Sequence, residues 1–258
     1  MNRLILITIV TLLSCGELHA GSMFFGLGTD YLNPRIERSE AGATSFSTSS
    51  DLSYQGYATL GWQGRRKKHS IRATYAQKFF KLEAPTTRTF TELEHEFVSY
   101  SAMYNYSGKA FDFYLEYLND SAFIFENQTT FTEFAPTPVE NTFAGVGFRF
   151  KAYSDKPHNL YSYMKSRKYR DDRKSKVSYN KGFRLVLDFA YYHQISSEKA
   201  FGLEVKYKPK FKAGLKIEKG GVFNYGAKIN FASEEYEWED DTYTVLDFGG
   251  GVFIKINY

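Results

Sequence analysis

Cysteine is almost missing: Cys15 is the only one in 258 residues. An exported chain could have used disulfides, and none can form here, so no disulfide framework holds this fold. Long hydrophobic runs are missing as well. After the first residues no stretch approaches 18 uncharged apolar positions, which excludes a bundle of membrane helices. A strong charge of one sign is also lacking. The net charge of +4 gives no argument for a nucleic-acid partner. No phosphate loop, zinc pattern or nucleotide fingerprint occurs, so no cofactor is expected. Mean hydropathy is −0.43 despite 21 Tyr and 24 Phe.

What is present begins with Arg3 and the apolar run from Leu4 to Leu13, about the length of a signal-peptide core and too short to span a bilayer. Residues 1–20 are read as an export signal. Leu18-His19-Ala20 before Gly21 offers an ordinary peptidase site; Leu12-Leu13-Ser14-Cys15 offers a lipoprotein site. The first is preferred because Leu13 is not the usual small or β-branched residue. Residues 21–258 then make one all-β domain.

The mature chain alternates apolar and polar residues with a period of two. From Asp51 to Trp62 one face is Leu52, Tyr54, Gly56, Ala58, Leu60 and Trp62. Phe111, Phe113, Leu115 and Tyr117 repeat the pattern, as do Ala144, Val146, Phe148 and Phe150, and then Phe183, Leu185, Leu187, Phe189 and Tyr191. Alternation alone does not say which face is inside. The glycines Gly145, Gly147, Gly202, Gly214, Gly226, Gly249 and Gly251 fall on the polar or mixed face, where they would relieve crowding in a narrow barrel. The polar face is therefore turned inward and the aromatic face toward lipid.

The last strand carries a resemblance. Leu246, Phe248, Gly250, Val252, Ile254, Ile256 and Tyr258 share one face, and the last of them, Tyr258, is the aromatic residue on which the chain stops. This resembles the terminal β-signal of Gram-negative outer-membrane barrel proteins. The resemblance implies an antiparallel up-and-down transmembrane barrel in the outer membrane. It further implies that Phe248, Val252, Ile254, Ile256 and Tyr258 are read by the barrel-assembly machinery, with lipid and lipopolysaccharide as surroundings.

Strands are expected near 23–32, 50–62, 69–82, 94–106, 110–121, 141–153, 181–194, 200–217, 221–232 and 242–258, ten in all. One of them, 200–217, keeps a single register across Pro209. A hairpin at Pro209 and a further strand at 159–168 would give twelve. Ten is preferred, because the extra strand would turn either Lys165 and Arg167 or Ser162 and Ser166 to lipid, and a lipid-facing cation costs about 2–4 kcal/mol at mid-membrane.

Both termini then lie on the periplasmic side, with a basic turn at Arg65, Arg66, Lys67 and Lys68 and a basic insert near 154–180. Segments 119–140 and 233–241 become acidic outer loops, usually mere solvated surface. Catalytic groupings are weak. His193 with Ser196 and Ser197 is the one suggestive cluster, without triad spacing, and no enzymatic activity is expected. The better candidate is the lumen, expected to be lined by Arg72, Lys78, Asp112, Glu116, Arg149, Lys151, Arg184, Asp188, Glu204, Lys206, Lys208, Lys210 and Lys212. A barrel of about ten strands can be filled by such residues or be a narrow wet channel. The expectation is a narrow or gated passage for a small solute with mild anion preference, against a plugged structural or surface-binding barrel.

Overall fold

A computed structural model describes residues 21–40, 43–49, 53–64, 68–82, 93–108, 110–125, 136–154, 183–220 and 223–257. Residues 1–20, expected to be an export signal, Arg65 to Lys67, most of the expected basic insert and Tyr258 lie outside these residues.

The two-residue rhythm folds as an antiparallel meander that closes on itself. β1 (Ser22–Leu32) pairs with β4 (Ser53–Gln63) on one side and with β15 (Asp241–Asn257) on the other. Between them run β5 (His69–Leu82), β6 (Leu93–Ser107), β7 (Phe111–Phe125), β8 (Pro136–Ser154), β9 (Phe183–Ser197), β13 (Lys210–Lys219) and β14 (Phe223–Trp238), each bonded to its sequence neighbour. Closure leaves no unpaired edge among these ten strands, which backbone polar groups in lipid require. The ten-strand expectation is met.

One end of the barrel, here the near end, carries the first and last strand residues. At the far end β2 (Pro34–Glu40) continues β1 past Asn33 and pairs with the start of β15. β3 (Ala43–Ser49) pairs with β2 and leads into β4.

Of the expected acidic loops 119–140 and 233–241, residues 126–135 lie outside the described residues and the rest is strand but for one turn. β7 runs to Phe125 and β8 starts at Pro136, so Asp120 is inside the barrel and 5% exposed. β14 runs to Trp238 and meets β15 through a turn at Glu239 and Asp240. Strands need only about ten residues to cross lipid, and these continue well past that length into water, where charge is tolerated.

The expected long strand near 200–217 is corrected. Lys199–Ala200 (β10) and Leu203–Glu204 (β11) form a small hairpin around Phe201 and Gly202, both with positive φ. Lys206–Tyr207 (β12) pairs with β14, and β13 starts only after Pro209. Proline has no N–H for the ladder, and the chain changes phase there. Val205 is therefore buried and Tyr207 packs inward, whereas Phe211 and Ile217 face out. Gly202 is a turn glycine and not a luminal one.

All ten barrel strands place large apolar side chains on the exterior. Met23, Leu27, Leu60, Phe113, Leu115, Val146, Phe211, Phe223, Phe248, Val252 and Ile254 are each more than half exposed. In water such a continuous belt would drive association. Against acyl chains it is the matched surface.

Candidate functional site: the barrel lumen

The inward residues form three layers along the axis. In the middle, Asp188 on β9 accepts hydrogen bonds from Arg149 Nε of β8 and the Tyr114 hydroxyl of β7, both at 2.7 Å. The Arg149 guanidinium lies 4.4 Å from the Tyr114 ring centroid, and Tyr192 donates to Glu116 at 2.6 Å. These long side chains need room at the wall. A Cβ at Gly147 would overlap the Tyr114 ring, and one at Gly145 the Tyr192 ring. The luminal glycines thus serve as slots for tyrosines that lie flat across neighbouring strands.

Toward the far end Asp120 is paired with Lys78 of β5 and, at 3.1 Å, with Lys210 of β13; Lys210 also pairs with Glu234 of β14. Four strands spread around the ring are thereby tied through its centre. Buried ions are tolerated because each is paired. Beyond this brace lies an aromatic core of Ile36, Phe97, Phe123, Phe125, Val139, Val205, Tyr236, Trp238 and Tyr243, with Phe80 packed against it. Tyr236 and Tyr243 stack at 5.0 Å between ring centroids. Their hydroxyls donate to the carbonyls of Phe123 at 2.7 Å and Phe125 at 3.2 Å on β7. β15 and β7 are opposite walls of the ring, so this is contact straight across the mouth. β6 pairs with β7 only as far as Tyr100 opposite Asn119, so the carbonyls of Phe123 and Phe125 lie past the end of that ladder. Tyrosines from across the lumen supply the donors that β6 no longer does.

Toward the near end Lys151 pairs with Asp112 at 2.7 Å, Lys228 with Asp30 at 2.8 Å, and Glu218 with both Arg184, at 3.0 Å, and Lys216. Lys255 sits 3.7 Å from the Phe24 ring centroid and Lys216 4.3 Å from that of Phe253. Arg72 has no hydrogen bond or ion pair among the described residues, and its Nε is shut off from solvent.

The structure thus brings Arg72, Lys78, Asp112, Glu116, Arg149, Lys151, Arg184, Asp188, Lys210 and Lys212 into the interior. It does not bring Glu204, Lys206 or Lys208 there. All three are exposed, and Lys208 pairs outside with Glu235 and, at 3.7 Å, with Glu237. The phase change at Pro209 is the cause, and the expected lysine ladder is reduced to its two inner members. His193 and Ser196 are exposed as well. Of the expected assembly residues, Phe248, Val252 and Ile254 lie on the apolar belt and Ile256 is half-buried.

Sequence reasoning missed Asp30, Asp120, Lys216, Glu218, Lys228, Glu234 and Lys255. Extending the period of two through 216, 218, 228 and 255 would have found four charged inward positions. Asp120 and Glu234 were hidden by the assumption that a strand ends where its apolar pattern ends.

A closed antiparallel barrel with an apolar aromatic belt outside and ionised side chains inside has the architecture of a bacterial outer-membrane protein, and that membrane is where its exterior fits. No protein family matches the sequence, and no curated protein does. Among solved structures the chain is similar to the outer membrane protease OmpT from Escherichia coli, at 7% identity and TM-score 0.45 over 92% of this chain and 97% of that one. It is also similar to a mutant of the TodX monoaromatic hydrocarbon channel, at 10% identity and TM-score 0.39 over 94% and 92%. The β domain of the Bordetella autotransporter BrkA aligns at 9% identity and TM-score 0.39 over 93% and 100%. Superposition this loose carries no information on what the present chain does.

Proposed function

We propose that this protein is an outer-membrane barrel that is closed at rest: a vestibule open toward the periplasm and sealed toward the outside. The observation that carries this reading is the tyrosine contact between opposite walls at the far end, Tyr236 to Phe123 and Tyr243 to Phe125. A passive pore would need that mouth hydrated, and the apolar cluster around it gives water no polar partners. Residues 1–20 act in this reading as the export signal, and the last strand as the segment the assembly machinery reads. Lipid and lipopolysaccharide surround the belt.

A second reading is gated passage of a small solute. It is favoured by the interior below the seal, which is ionised where a purely structural barrel could have been filled with apolar side chains. Lys212 and Lys255 contact rings instead of carboxylates, so an opened lumen would prefer anions.

Planar-bilayer recording of refolded protein tests both readings. Wild type should be silent or show rare brief openings. The Tyr236→Ala/Tyr243→Ala variant should conduct steadily, with a reversal potential on the anion side in a salt gradient. Steady wild-type current would overturn the closed resting state. Cation preference in the variant would overturn the assignment of the luminal charge.

A further inference from the structure

Below the seal one group of residues is poorly matched by its surroundings. Arg72 on β5 carries a guanidinium with no acceptor among the described residues. Arg184 on β9 has its Nε shut off from solvent without an acceptor, while its terminal nitrogen bonds Glu218 at 3.0 Å. Glu218 is shared with Lys216, so one carboxylate serves two cations. Lys255 has no ion pair among the described residues and lies on the face of Phe24. The other carboxylates at hand make their hydrogen bonds elsewhere: Asp188 accepts from Arg149 and Tyr114, and Glu116 accepts from the uncharged Tyr192.

These four cations come from β5, β9, β13 and β15, yet they converge. Arg184 and Lys216 meet on Glu218, Lys216 and Lys255 lie on the Phe253 and Phe24 rings, and Arg72 stands opposite Gly61, whose space the Phe24 ring fills. The side chains are held apart from collapse by two rings, Phe24 and Phe253, which occupy the space left by Gly61 and Gly226 and carry Lys255 and Lys216 on their faces. All four remain partly accessible, and they lie near the end at which the strands begin and finish. Like charges are not gathered on a preformed frame at no cost, and a multiply charged anion is the chemistry that would satisfy them. Two guanidiniums offer planar forks suited to paired oxygens.

We propose that the near half of the lumen is a binding site for a small oxyanion of the phosphate class, held by Arg72, Arg184, Lys216 and Lys255. The site lies below the seal, so it stands whether or not the far mouth opens. Binding and conduction can therefore fail separately.

The test is calorimetric titration of the detergent-refolded barrel with inorganic pyrophosphate, with heat-modifiable gel migration as the check on folding. Wild type should bind one equivalent. Arg72→Gln and Lys255→Gln should each weaken binding at least tenfold. Lys208→Gln, on the exterior, should leave it unchanged. Arg72→Lys, which keeps the charge without the fork, should fall between wild type and Arg72→Gln. Absence of binding to folded wild type would overturn the proposal, as would equal losses in Arg72→Gln and Lys208→Gln. If Arg72→Gln fails to fold, Lys255→Gln decides the matter, since Lys255 makes no ion pair whose loss could unfold the barrel.

Discussion

At the scale of single residues, the interior is governed by whether each polar atom finds a partner. Gly147 makes the point sterically: the Tyr114 ring lies where a Cβ would be, and that ring positions the hydroxyl that bonds Asp188 at 2.7 Å. Gly147→Ala should therefore cost about 1–3 kcal/mol, as overpacking does elsewhere. The readout is a lower urea midpoint at unchanged slope, and Tyr114→Ala should relieve part of the loss in the double variant. His95 makes the point electrostatically. It stands beyond the apolar belt, its ring 6.1 Å from Phe123 and 6.3 Å from Phe97 between centroids, with Nε2 buried and unpartnered among the described residues. Burial holds its pKa below the ordinary 6.5. The folded state then binds fewer protons than the unfolded chain. Stability should be unaffected well above pH 6.5 and should decline as pH falls through that value toward the lowered one. In His95→Gln this part of the decline should vanish; equal pH profiles for the two proteins would contradict the burial argument.

At the scale of elements, one missing N–H decides a register. Pro209 interrupts the ladder, and the segment before it turns Val205 and Tyr207 inward while Lys206 and Lys208 face water. Side-chain contacts compensate for the lost pairing: Gln194 receives the Tyr207 N–H at 2.9 Å and donates to the Val205 carbonyl at 2.7 Å. In a Cys15→Ser background, Lys208→Cys should react rapidly with a charged thiol reagent added to folded protein. Lys212→Cys, inside the barrel, should react at least tenfold more slowly. Equal rates would restore the continuous strand and with it the luminal lysine ladder. The far mouth closes where another ladder ends: β6 stops pairing with β7 at Tyr100 opposite Asn119, and beyond it the carbonyls of Phe123 and Phe125 take the tyrosine hydroxyls instead.

At the scale of the whole molecule, ten strands set a bore that side chains can span. That is why Asp120 can reach Lys210 three strands away and Tyr243 can reach Phe125 on the opposite wall. The exterior belt requires lipid, so fractionation of cells making the full chain should place it with the outer membrane. Unheated samples should migrate differently from boiled ones on gels. A native protein recovered soluble in the periplasm would refute the orientation of the two faces.

How much of this was written in the chain follows from the range of each force. The period of two is local, and it determined the all-β class and most of the strands; the placement of the glycines and the cost of lipid-facing cations were needed to turn the aromatic face outward and to choose ten strands. Closure follows too, since unpaired edges are not tolerated in lipid. The luminal site was legible only in its residue types. Arg149, Asp188 and Lys210 could be placed on the inward face, but a face does not say who meets whom. Tertiary structure decided that Asp120 braces two lysines from other strands, that Glu218 is shared, and that Arg72 has no acceptor among the described residues. It also decided that the tyrosines of β14 and β15 seal the mouth. These contacts join positions a hundred residues apart across the bore. They depend on shear and on side-chain length, which no local pattern encodes.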